Sequence, residues 1–256
     1  MTVRIEKRPG AERGSRTPEK IQSLSSGAIG TVTDAVKDAA GGAIRAVKPR
    51  LRGWIHAFTA PLALAACIVL TVLAPGPALT WACAAYLACS LFLFANSGVY
   101  HISYGHWPRR VTAVLRRVDH ANIYLLIAGT YTPLSVALLD RGMTLLVLGI
   151  VWGGALAGII TSLAWRSAPR WLTTLFYILL GWVAIWFLPQ FWMTGGPAIV
   201  WLLVSGGVTY TVGGVVYARR WPDPDPRWFG FHEIFHTCTV AAWACQCTAC
   251  YLAVLG

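Results

Sequence analysis

His232-Glu233-Ile234-Phe235-His236 sets two imidazoles four residues apart, so on a helix both face one way and reach a single metal ion. Read literally, His-Glu-x-x-His is also the zinc-peptidase signature, with the Glu as general base. A second group of chemically capable residues lies far upstream. Ser97 and His101 are again four apart and share a helix face, and Asp119 opens the next apolar stretch. Three imidazoles, from His101, His232 and His236, plus one water make a tetrahedral zinc site with an open position, the form associated with catalysis. Zinc brings the pKa of its water to roughly 7 and makes hydroxide available at neutral pH. Asp119 then hydrogen-bonds that water and acts as base, or orients a ligand imidazole, while Ser97 positions the water or a substrate carbonyl.

Whether these residues meet depends on the elements that carry them. The 256 residues are 56% hydrophobic and only 12% charged, where a soluble domain carries about a quarter charged residues. Together with a mean hydropathy of +0.58, that is the composition of an integral membrane protein. A net charge of +11 would point to nucleic acid in a soluble protein. Here 11 of the 21 Lys and Arg precede Trp54 and the rest fall in short gaps between apolar runs. That pattern is a topology signal, and no nucleic-acid partner is expected.

A bilayer core about 30 Å thick needs roughly 20 apolar helical residues. Runs of that size occur at about 55–74, 79–101, 119–139, 143–165, 171–188, 197–218 and 232–255, several separated by Gly-Pro or Pro-rich breaks such as Gly195-Gly196-Pro197. Placing the N-terminus inside puts 20 of the 21 Lys and Arg on the cytoplasmic side. The expected fold is therefore all-α, a bundle of seven transmembrane helices with the N-terminus cytoplasmic and the C-terminus outside. A cytoplasmic tail (1–50) precedes the membrane domain (51–256). Residues 1–50 hold no signal-peptide core, so the first span directs insertion. From Ile21 apolar residues recur at helical spacing, which suits a basic interfacial helix on anionic lipid; the Gly and Ser residues of 23–30 suit a flexible tail equally well.

The orientation brings the chemistry together. His101 ends the second span, Asp119 starts the third and His232 and His236 start the seventh, so all lie at the cytoplasmic side. Taken singly each has a plainer reading. His232 and His236 could be an interfacial pair, Asp119 an N-cap or a partner of Arg116 or Arg117, and Ser97 a packing residue. Their joint placement is what favours zinc. His106 belongs to a solvated loop, and His120 points about 100° from Asp119 and suits packing or a supporting role. His56 reads as an interfacial residue rather than a fourth ligand. Cys245 lies nine residues beyond His236, roughly 13 Å along the helix axis, and with Cys247 and Cys250 reads as packing. The seven cysteines all sit in apolar runs and form no disulfide framework.

Several segments together resemble the hemolysin III branch of the progestin and adipoQ receptor (PAQR) family over roughly residues 50–256. They are Leu51-Arg52-Gly53-Trp54-Ile55-His56, Ser97-Gly98-Val99-Tyr100-His101 and Asp119-His120-Ala121-Asn122-Ile123. Ile127-Ala128-Gly129-Thr130-Tyr131-Thr132-Pro133 and Phe231-His232-Glu233-Ile234-Phe235-His236 complete the set. The resemblance implies seven spans, N-in, with intracellular zinc held by His101, His232 and His236 and supported by Ser97 and Asp119. It extends to alkaline ceramidases and so implies hydrolysis of a lipid amide or related bond.

Four functions follow as expectations. The first is a zinc-dependent hydrolase acting on lipid amides or esters from the cytoplasmic side of a bacterial inner membrane, with membrane lipid as substrate. The second is a receptor or lipid sensor in which zinc is structural. A hemolysin-type lytic protein is the third, though no ring of charges or broken filter helix suggests a channel. A membrane peptidase is the weakest, because no charged residue follows His236 to complete a peptidase ligand set.

Overall fold

The computed structural model describes residues 51–165 and 169–256. The tail (1–50) and any interfacial helix within it lie outside the described residues, as do 166–168. Every regular element in the described part is helical. In chain order they are α1 (Trp54–Leu73), α2 (Gly76–Ile102), α3 (Arg109–Leu138), α4 (Arg141–Ala164), α5 (Arg170–Gly181), a 3-10 turn (Trp182–Phe187), α6 (Leu188–Arg219) and α7 (Phe231–Leu255).

Proline and capping chemistry set the boundaries. Pro75, Pro108 and Pro169 each stand immediately before or at the cap of a helix, where a missing N–H leaves nothing unsatisfied and φ is already helical. The Asp140 side chain accepts from the backbone N–H groups of Gly142 and Met143 to start α4. Within the bundle, threonines return their hydroxyls to the carbonyl four residues back, as Thr130 does to Leu126 at 2.8 Å. Such pairing satisfies a polar group where no water is at hand.

Among the described residues, six helical stretches are long and apolar enough to cross a membrane. One of them, Arg170–Arg219, has 50 residues and contains a non-helical glycine, Gly196, at φ 80° and ψ 174°. Only glycine takes that conformation at little steric penalty, and Pro197 after it cannot donate the N–H that would continue the ladder. The chain therefore bends there.

α3 occupies the middle of the bundle. It packs against α2, α4, α5, α6 and α7, and α1 closes the ring by touching both α2 and α7. Two-thirds (67%) of the apolar window of α3 is buried, against 17% for α4. Close approach is bought by small residues: a Cβ on Gly98 would stand 3.1 Å from the Ala57 backbone, and one on Gly129 would meet the Cys89 side chain at 2.6 Å.

Two boundaries differ from the sequence expectation. α3 begins at Arg109, ten residues before Asp119. The basic segment Arg109–Arg117 is too polar to count as membrane core, yet it is a good helix former and continues the same helix outward. Asp119 is thus interior to the helix, and its reading as an N-cap is corrected. The run expected to end near residue 188 likewise does not stop there: α5 ends at Gly181, and the 3-10 turn carries the chain directly into α6, which begins at Leu188 rather than near 197. The Tyr131 hydroxyl spans this irregularity: it donates to the Gly181 carbonyl at 2.7 Å and accepts the Ala184 N–H at 2.6 Å.

Replacing Tyr131 by Phe leaves both backbone groups without their partner. The expected loss is about 1–3 kcal/mol, read as a lowered thermal midpoint of the detergent-solubilised protein; an unchanged midpoint contradicts this role.

Candidate metal centre

α2, α3 and α7 bring the reactive side chains together. His101 is one residue from the end of α2 and His232 is the second residue of α7. Their Nε2 atoms stand 3.2 Å apart. His236, one turn along α7, presents its ring 4.6 Å from His232 and 5.1 Å from His101, centroid to centroid. The ligand atoms of all three lie within 4.8 Å of one another. Two nitrogens on one tetrahedral zinc at ordinary bond lengths are separated by about 3.3 Å. The donor set thus fits a divalent metal, and the cluster can hold one.

Asp119 reaches this cluster from α3. Its Oδ2 lies 3.6 Å from His101 Nε2, the same atom that faces His232. Among the described residues this is its ion-pair contact, rather than one to Arg116 or Arg117. Ser97 is buried one turn before His101 on α2. His101 and His236 are buried, whereas His232 is only partly covered and Asp119 keeps 15% of its side chain exposed. The open side of the cluster is therefore the side of His232 and Asp119. The five expected residues share one neighbourhood.

The remaining histidines divide. His106 is exposed in the α2–α3 loop. His120 turns away: its Nδ1–H donates to the Arg116 carbonyl at 2.7 Å, which leaves Nε2 to accept from the Tyr217 hydroxyl at 3.4 Å. His56 departs from expectation. Instead of lying at the interface it is 3% exposed, stacked on His236 with centroids 3.8 Å apart and planes 7° from parallel. Its helix shows why. His56, Thr59, Ala63, Cys67 and Leu70 form the buried stripe of α1 at three- and four-residue spacing. That stripe was readable in the sequence, and His56 is its first member.

Glu233 is fully buried and already engaged. One carboxylate oxygen accepts from Arg52 Nε at 2.9 Å, and the other accepts the Gly230 N–H at 2.9 Å, capping α7. Cys247 and Cys250 lie in the apolar core and Cys245 is partly exposed; all three thiols are free.

The bundle also holds an apolar cavity of about 120 Å³. Ile123 and Tyr131 of α3, Tyr177 of α5 and Phe235 and Thr239 of α7 contribute to its wall. Phe235 is the chain neighbour of His236 and Ile123 lies one turn beyond Asp119, so α3 and α7 each contribute both to the cluster and to the cavity wall.

With this geometry in hand, comparison with known proteins is informative. A family model described as haemolysin-III related matches residues 44–247. The chain is 32% identical over 142 residues to a protein named hemolysin-3 homolog from Bacillus subtilis (strain 168), covering 55% of this chain and 65% of that one. It is 35% identical over 114 residues to hemolysin-3 of Bacillus cereus, covering 44% of this chain and 51% of that one. The matched stretches thus span less than two-thirds of either relative.

Gly53 immediately precedes α1 at φ 91°, and a Cβ there would stand 2.7 Å from the Cβ of His101. Gly53→Ala is expected to push His101 out of register, destabilising the protein by about 1–3 kcal/mol and weakening metal retention in a chelator-challenge assay. Unaltered metal retention contradicts the close approach.

Proposed function

The chain belongs to the haemolysin-III related family, within the PAQR family, and is an integral membrane protein of the bacterial plasma membrane. From that premise we propose that it is a zinc-dependent hydrolase that cleaves lipid amide or ester bonds from the cytoplasmic side. The observation that carries this reading is a three-histidine cluster with an adjoining carboxylate, in a bundle whose α3 and α7 also wall an apolar cavity.

We further propose seven membrane crossings with the N-terminus inside. A straight helix of 50 residues would be about 75 Å long, far beyond a hydrocarbon core of about 30 Å, so Arg170–Arg219 crosses twice with Gly196 at the bend. Parity supports this count. Arg52 precedes α1 and Glu233 opens α7, and the two are 2.9 Å apart. Both helix starts therefore lie on one side, which requires an even number of crossings between them and an odd total. The Lys and Arg distribution makes that side cytoplasmic.

When bound, zinc supplies a Lewis acid and a nucleophilic water at neutral pH. His101, His232 and His236 would hold it, their ligand atoms lying within 4.8 Å of one another. Asp119 accepts the proton of the attacking water, for which its partial exposure on the open side suits it. The Ser97 hydroxyl fixes the orientation of that carboxylate. The cavity takes the acyl chain of the substrate and so sets the carbonyl beside the cluster, a gain in proximity rather than in chemistry. Buried aromatics, among them Tyr86, Phe94 and Tyr124, fill the bundle interior, which favours a packed enzyme over an aqueous pore.

Asp119→Asn is expected to lower lipid-amide or lipid-ester hydrolysis by about 100-fold or more while zinc content and thermal midpoint stay near wild type. Full turnover in the zinc-free protein, or chelation that lowers the midpoint with no product from any lipid in a panel, overturns the hydrolase reading; the second result makes zinc structural. A phosphatase reporter fused after Gly256 should be active outside the cell, and an inactive one overturns the orientation.

A further inference from the structure

Glu233 holds the position that the pentapeptide would give to a general base, but its carboxylate faces the protein rather than the open side of the cluster. One oxygen accepts the Gly230 N–H and the other accepts Arg52 Nε, and the residue is 1% exposed. An ion pair at this depth is retained against a desolvation penalty of several kcal/mol per ion, and removing one partner leaves the other charge stranded.

The same turn of chain that carries Arg52 touches both helices that carry the three histidines, α2 and α7. Arg52 pairs with Glu233, which lies between His232 and His236 in α7. Gly53 lies against the His101 side chain of α2, where only a missing Cβ fits. His56 stacks on His236 at 3.8 Å, with its other edge against Phe94 at 5.2 Å. Residues 52–56 thus brace the back of the cluster, and the Arg52–Glu233 pair is their charged fastening. At the start of α7 the fastening is doubled: Asp223 accepts the Phe231 N–H at 3.0 Å one residue from the Gly230 cap.

We propose that Glu233 is a positioning residue that acts through His232 and His236, and that its pairing with Arg52 sets the affinity and coordination geometry of the bound metal. This rests on the reading of His101, His232 and His236 as metal ligands. It is independent of which bond, if any, is hydrolysed. Loss of the pair frees the first turn of α7 from α1, so the two imidazoles must then be ordered at the expense of binding energy. Glu233→Gln keeps an oxygen for the Gly230 N–H and removes the charge that holds Arg52.

The test uses full-length protein in lipid nanodiscs, with Glu233→Gln, Arg52→Gln, Arg52→Lys and the Arg52→Gln/Glu233→Gln double variant. Zinc affinity is measured by competition with a chromophoric chelator, and coordination geometry by the visible spectrum of the cobalt(II)-substituted protein. Each Gln variant should bind zinc about tenfold more weakly, equivalent to 1.4 kcal/mol, with an altered cobalt spectrum. The double variant should be no weaker than either single one, because both remove the same contact. Arg52→Lys should lie between wild type and Arg52→Gln. Hydrolysis by Glu233→Gln should return to the wild-type rate once zinc is saturating, whereas loss of a general base is not rescued by metal.

Unchanged zinc affinity and cobalt spectrum in both Gln variants overturn the proposal, as does activity that stays lost at saturating zinc. Weakened affinity in a wild-type background that hydrolyses no lipid upholds the proposal and overturns the hydrolase reading alone. A wild-type protein that binds neither zinc nor cobalt overturns both. If Glu233→Gln does not fold, Arg52→Gln, which leaves the cap of α7 intact, decides by the same measurements.

Discussion

A carboxylate buried in a membrane bundle must meet a cation inside the protein, since neither lipid nor bulk water is there to receive it. Glu233 meets Arg52, and this pairing fixes where α1 and α7 begin relative to each other. Much of the site follows from that single contact. With the starts of α1 and α7 held together, the end of α2 is drawn in by the missing side chain at Gly53, and His101 arrives beside His232. His56 then has nowhere to lie but flat against His236. α3, the central helix, passes the same point and contributes Asp119 from its third turn.

The rest of the bundle obeys a related constraint. Apolar helices gain little by exchanging lipid for one another, so their association depends on close packing and on hydrogen bonds between them. Both are present away from the histidines. Gly129 and Gly98 let α3 and α1 approach α2. Trp243 donates to Ser90 across α7 and α2, Asn122 to the Phe92 carbonyl across α3 and α2, and Tyr251 to the Ala66 carbonyl across α7 and α1. These contacts hold α2 and α7 against α3. The cavity is walled by α3, α5, α6 and α7, and Trp182, Ala184 and Ile185 of the 3-10 turn, where regular helical packing is interrupted, line it as well. Space for a ligand therefore occurs where the helices are least regular.

The helical class and the grouping of Ser97, His101, Asp119, His232 and His236 were legible in the sequence because they rest on length, hydropathy and the alternation of helix direction. Those quantities survive without knowledge of side-chain contacts. The start of α3 was not legible, since hydropathy marks where a helix enters lipid and is silent about the polar turns that precede it. The continuation of α5 into α6 was hidden for a different reason. It depends on Tyr131, some 50 residues away, supplying a hydroxyl to backbone groups that a regular helix would have satisfied itself. His56 was misjudged because a histidine near the first turn of a span ordinarily sits in the interface. The spacing of its neighbours in α1 outweighs that prior.

Glu233 marks the boundary between what a motif specifies and what a fold decides. The i and i+4 histidines face together on any helix, so their shared direction is a property of the pentapeptide itself. The residue between them has no such guarantee. On a helix it points about 100° from the first histidine, and whatever element occupies that direction determines its work. In this bundle that element is the chain entering α1, and Arg52 claims the carboxylate. The side of the cluster that remains open is bordered by Asp119, which belongs to another helix and to no local motif. The carboxylate beside the open side of the cluster is thus Asp119, while the one inside the motif is turned to Arg52 and the Gly230 N–H.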